Sequence, residues 1–182
     1  VDGDGWCDLY FCGLENRNAL YRNLGGWRFE DITHASGAAC EGQYSTGATF
    51  ADVDGDGDLD LLVGSIGGGS RLFLNDGRGR FTEAADSGLV PRFCVTTLAL
   101  ADVDGDGDLD LYYARGSGFS SAGAATQNTL LINNGAGVFA DQTATRLPAF
   151  VDNSKDVDYV DVDGDGDLDL VVANAFNQQP RL

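Results

Sequence analysis

The sequence predicts an all-β fold, a β-propeller segment of about three and a half four-stranded blades, and three observations carry that prediction. A ten-residue motif, DVDGDGDLDL, stands at Asp52 to Leu61, Asp102 to Leu111 and Asp161 to Leu170, and a frayed copy, VDGDGWCDLY, opens the chain at Val1 to Tyr10. A second motif follows the first three copies as ALYRNLGGWRFEDIT, RLFLNDGRGRFTEAA and LLINNGAGVFADQT, aligning Asn23, Asn75 and Asn133 as well as Phe29, Phe81 and Phe139. The spacing keeps step: 21 residues separate Asp8 from Phe29 and Asp60 from Phe81, and 29 separate Asp110 from Phe139, so the third unit carries eight extra. A period of about fifty residues marks one repeating supersecondary unit.

Each unit reads as four strands. In the second these are TGATFAD, LDLLVGS, SRLFLN and RFTEA, rich in branched and aromatic residues that pack well on a pleated surface. The acidic motif joins the first two strands, and a turn rich in Asn, Asp and Gly folds the last two into a hairpin. The Phe that leads the fourth strand is read as core. Four antiparallel strands at this period describe a propeller blade, giving approximate units 1–44, 45–94, 95–153 and 154–182 of one partial propeller.

The acidic motif carries the chemistry. Alternating acids with glycine at the fourth and sixth places gather carboxylates around one point, because glycine permits the sharp turn. In the second unit the side chains of Asp52, Asp54, Asp56 and Asp60 are the expected ligands, with the main-chain carbonyl of Asp58 at the seventh place and its side chain facing water. The same reading assigns Asp102, Asp104, Asp106, Asp108 and Asp110 in the third unit, and Asp161, Asp163, Asp165, Asp167 and Asp169 in the fourth. The opening copy keeps Asp2, Asp4 and Asp8, has Trp6 at the seventh place and lacks the first acid. All-oxygen ligands on a flexible loop favour Ca²⁺ over Mg²⁺ or Zn²⁺. An EF-hand would need a bidentate acid at the twelfth place, where this chain has Val63, Tyr113 and Val172. The ninth-place acids must therefore close the cage.

On these residues the chain resembles the FG-GAP or VCBS-type repeats of integrin alpha-chain propellers and many bacterial secreted proteins. The pairing of the NxLYRNxGGWRFEDIT segment with DVDGDGDLDL looks most like the cartilage acidic protein and UnbV/ASPIC group. In that family DxDGDGxxD loops bind calcium, and the resemblance implies the same role for the matching acids here. Arg181 and Leu182 match Arg71 and Leu72 at the start of a third strand. Closed propellers have four to eight blades, so the expectation is a fragment whose remaining blades come from a longer parent chain, with assembly from two chains the alternative.

Composition bounds the function. The chain is 43% hydrophobic and 10% aromatic, with no apolar run long enough to span a bilayer, so membrane insertion is not expected. Of its 29 acids, 18 lie in the four loops, leaving 11 against 11 basic residues. The net charge of −18 thus belongs to the loops, and with no basic patch nucleic-acid binding is not expected. Loops of this kind suit the millimolar calcium outside cells, which places the protein as secreted, periplasmic or at the cell surface. Cys7, Cys12, Cys40 and Cys94 contain no CxxC spacing; a bridge among the last three and buried free thiols are both open.

A protein or glycan partner is expected on the face opposite the calcium loops. The eight extra residues fall there, in ARGSGFSSAGAATQN with Phe119 as its one large apolar group, and HASGAACEGQYSTG is the other candidate segment. Tolerated length is the simpler account of the insertion. Trp27, Tyr112 and Tyr113 are candidate sugar platforms, although core packing is their expected fate. His34 has no nucleophile motif beside it, and Ser120 and Ser121 have no triad spacing; the chain is not expected to be an enzyme. The sequence therefore reads as a calcium-binding interaction or adhesion scaffold, with a lectin, or a non-catalytic domain or subunit of a larger extracellular enzyme, as alternatives.

Overall fold

A computed structural model describes residues 1–66, 69–89, 94–116, 126–176 and 178–182. Four antiparallel sheets follow one another along the chain, each wound in sequence order. The first holds β1 (Leu9–Phe11), β2 (Ala19–Asn23) and β3 (Phe29–Asp31); the second holds β4 (Ser45–Ala51), β5 (Asp60–Ser65), β6 (Arg71–Asn75) and β7 (Phe81–Glu83). The third holds β8 (Val95–Ala101), β9 (Asp110–Arg115), β10 (Thr129–Asn133) and β11 (Phe139–Asp141), and the fourth β12 (Ser154–Val160) and β13 (Asp169–Asn174). Arg181 pairs with Val172 in the register that Arg71 keeps with Val63, so the fourth sheet has just begun its third strand. The result is a partial β-propeller whose sheets we call blades 1 to 4.

The second strands of blades 2 and 3, β5 and β9, are buried on both faces, and their alternation assigns each side chain to a neighbour. Leu61 and Val63 pack with Phe73 and Phe81 against Leu20, Ile32 and Ala38 of blade 1. Leu62, one step out of phase, packs with Val53 and Leu72 against Leu111, Tyr113, Leu131 and Phe139 of blade 3. Tyr112, Ala114, Leu130 and Ile132 then meet Val157 and Val172 of blade 4. The Phe of the hairpin motif is core in blades 2 and 3, as its apolar character predicts.

The first strands of blades 2, 3 and 4 are each bulged after the first residue, at Ser45/Gly47, Val95/Thr97 and Ser154/Asp156. A bulge re-aims the extra side chain. Here it sends Thr46 Oγ1 to the Val95 carbonyl and Thr96 Oγ1 to the Ser154 carbonyl, each at 2.8 Å, so each bulged strand is tied to the next. Two four-residue helices, α1 (Thr33–Ser36) and α2 (Thr143–Arg146), follow the last strands of blades 1 and 3, β3 and β11. His34 lies exposed within α1.

Two sequence expectations change, at Trp27 and at the Asp58 side chain. Tyr112 and Tyr113 are core, but Trp27 is 92% exposed. It occupies, at φ 59°, the hairpin place held by Gly79 and Gly137 in blades 2 and 3, where those glycines press on the preceding blade. Cys12 and Cys40 are thiols that share the surroundings of the Tyr10 hydroxyl, which lies 3.5 Å from Cys40 Sγ. Burial, then the neighbouring Cys40, pushes Cys12 up to about 11, and burial also raises Cys40. The Asp58 side chain is half-buried against Gly77 rather than free in water. The middle of the third-unit insertion, with Phe119, Ser120 and Ser121, lies outside the described residues.

Candidate metal centre

Each acidic loop is shaped by its own carboxylates accepting backbone N–H groups. In blade 2, Asp52 accepts from Gly55 at 2.8 Å on one oxygen and from Gly57 at 3.0 Å on the other. The turn bends at Gly55 and Gly57, with φ 76° and 90°, a region that only glycine enters cheaply. Asp54 accepts from Asp56, and Asp56 from Asp58. Asp102 repeats the double contact with Gly105 and Gly107, and Asp161 with Gly164 and Gly166.

In blades 2 and 3 the ninth-place acid is held at both oxygens. Asp60 Oδ2 accepts from Val53 at 3.1 Å and Oδ1 from Asn75 at 2.9 Å; Asp110 accepts likewise from Val103 at 3.0 Å and Asn133 at 2.8 Å. Both carboxylates are fully buried. Burial pushes their pKa values above the ordinary carboxylate range, the backbone donors pull them partly back, and the neighbouring acids of the same loop add to the rise. Asp54 is raised too, first by burial.

Three oxygen clusters result. Carboxylate oxygens of Asp52, Asp54 and Asp60 lie within 4.8 Å of one another, as do those of Asp102, Asp104 and Asp110 and of Asp161, Asp163 and Asp169. The fifth-place acids, Asp56, Asp106 and Asp165, sit on the exposed turn of each loop outside these trios. At the seventh place, the side chains of Asp58 and Asp108 turn toward the hairpin of their own blade, where a Cβ on Gly77 or Gly135 would stand 2.4 Å from a carboxylate oxygen. Asp167 is exposed. In blade 1 the acids are not gathered: Asp2 pairs with Arg22 at 2.9 Å, and Asp8 takes the amino group of Val1 at 2.6 Å where its counterparts take the second-place N–H.

Like charges this close repel, and an unneutralised group is raised in pKa or drawn to a cation. The donor set is all oxygen, which fits a hard divalent ion and not the nitrogen and sulfur that zinc prefers. Each of the three clusters could hold a metal ion.

A model of the FG-GAP-like repeat matches residues 1–63, 52–113 and 119–172. The chain belongs to this family. Each matched repeat ends three residues beyond a ninth-place acid, in the second strand of a blade. Among curated proteins, cartilage acidic protein 1 of Xenopus tropicalis is 37% identical over 79 residues, 41% of this chain and 12% of that protein. The Mus musculus and Homo sapiens proteins of the same name are 34% identical over the same shares. The matched stretch thus spans 12% of the length of these relatives.

What the motif conceals in these FG-GAP-like repeats is the part played by Asn75 and Asn133. Their alignment is visible in the sequence and reads as turn chemistry, yet both are buried and hold the ninth-place carboxylate from the far side.

Proposed function

We propose that these repeats form a calcium-stabilised propeller segment that works as an interaction scaffold outside the cytoplasm, with no catalysis of its own. The observation that carries the reading is the threefold recurrence of one oxygen trio at the same place in successive blades. Calcium would be held by the first-, third- and ninth-place carboxylates, joined by Asp56, Asp106 and Asp165 and by the carbonyls of Asp58, Asp108 and Asp167. The bound ion supplies neutralisation of each cluster and fixes the turn between a blade's first two strands, so its binding free energy adds to folding. Family membership and the millimolar calcium of extracellular fluids support a secreted, periplasmic or surface location. No helix among the described residues is long and apolar enough to cross a membrane.

Thermal unfolding tests the reading: the melting temperature should fall when EDTA replaces millimolar CaCl₂. Asp56→Ala and Asp106→Ala should each weaken calcium binding at their own loop in calorimetric titration. A melting curve indifferent to EDTA overturns it.

The proposed partner surface is the face away from the acidic loops. A cleft of about 420 Å³ opens there between Leu14–Arg17 and Glu41–Tyr44. An exposed tyrosine beside Glu15, Asn16 and Arg17 combines a flat apolar face with hydrogen-bonding groups, a combination that also suits a sugar ring. A glycan array with the wild-type chain and Tyr44→Ala separates the lectin reading from protein adhesion, since only a lectin loses a specific glycan signal on that change.

A further inference from the structure

We infer that the acidic loops are coupled from blade to blade through Asn75 and Asn133, positioning residues that each join two neighbouring loops, with Asn133 linking the cation sites of blades 2 and 3; the inference rests on the calcium reading above. Each asparagine works in two directions. Its backbone N–H holds the ninth-place carboxylate of its own blade, Asp60 or Asp110. Its Nδ2 donates to the carbonyl just before that carboxylate, Leu59 at 3.0 Å or Leu109 at 3.2 Å. The same Nδ2 also crosses the seam to the second-place carbonyl of the preceding loop: Asn75 to Val1 and Asn133 to Val53, both at 2.8 Å.

That second-place residue is itself a ligand holder. Val53 donates its N–H to Asp60 Oδ2 at 3.1 Å while its carbonyl receives Asn133 Nδ2 at 2.8 Å and, beside it, the Gly137 N–H at 3.0 Å. A continuous hydrogen-bonded path therefore runs from Asp110 through Asn133 and Val53 to Asp60, and onward through Asn75 and Val1 to Asp8. Both asparagines are buried, so water competes little for these bonds. Asn23 supplies an internal comparison: it holds Asp8 and the Cys7 carbonyl as its counterparts do, with no preceding loop to reach among the described residues. The hairpin duty and the seam contact are thus separable. An ion that fixes Asp110 also fixes Asn133 and the Val53 carbonyl, leaving the loop of blade 2 less to order when its own ion arrives. The two sites then favour each other's occupancy.

The test uses the ¹⁵N-labelled chain titrated with CaCl₂, the amide signals of Gly57 and Gly107 reporting the two loops separately. Disabling the blade 3 loop with Asp102→Asn and Asp104→Asn should weaken calcium binding at Gly57 by about fivefold or more. In an Asn133→Ala background the same pair of changes should leave the Gly57 affinity within about twofold. Weakening of equal size in both backgrounds overturns Asn133 as its carrier, and none in the wild-type chain overturns the coupling, while both loops remain calcium sites. No calcium-dependent shift at either glycine overturns the calcium reading instead. If the Asn133→Ala spectrum shows an unfolded chain, Asn133→Ser takes its place, since it keeps the N–H to Asp110 and is too short to span the seam.

Discussion

Gly77 and Gly135 are demanded twice over by the same turn. Their φ values of 70° and 76° lie where a side chain is strained, and an added Cβ would stand 2.4 Å from Asp58 or Asp108. Gly77→Ala should therefore lower stability by about 1–2 kcal/mol in urea unfolding. Calcium affinity at the blade 2 loop should fall with it, because the carbonyl of Asp58 is displaced together with its side chain. The acids themselves were legible in the sequence, since five aspartates at alternate places leave few other readings. The side chain of Asp58 was not, because the glycine that receives it lies 19 residues on, across a hairpin whose closeness no local pattern states. The same limit hid the seam contact of Asn133, whose partner Val53 is 80 residues away.

At the scale of the strand, the repeat provides matched pairs that differ only in what covers them. Leu9 and Leu61 both follow a ninth-place acid, yet Leu9 is 40% exposed and Leu61 0%. Leu61→Ala should cost about 2–5 kcal/mol in denaturant unfolding, while Leu9→Ala should stay within about 0.5 kcal/mol. Equal losses would mean that blade 1 is covered in solution. The strands were readable because branched and aromatic residues alternate faces between turn signals, and the third-strand start at Arg181 was readable from its likeness to Arg71. The helices α1 and α2 were not, because THAS and TATR are too short for any helical periodicity. The bulges escaped notice for a related reason: one unpaired residue leaves the period of two nearly intact.

Across the whole molecule, protection should follow the number of covered faces. Blades 2 and 3 are packed on both sides, whereas blade 4 pairs β12 with β13 and one bridge to Arg181. Native-state hydrogen exchange should accordingly be slowest in β5 and β9 and fastest in β13, with calcium slowing the first two most. Uniform exchange across the blades would contradict this order. The exposed indole of Trp27 has a different bearing on assembly. Between the blades described here, the hairpin tip is a bare glycine nestled against Val53, Leu72 and Leu74 or against Val1 and Ile32. A sheet that settled on the outer side of blade 1 would meet an indole where blades 2 and 3 present a glycine, so that joint would differ in shape from the two between blades 1, 2 and 3.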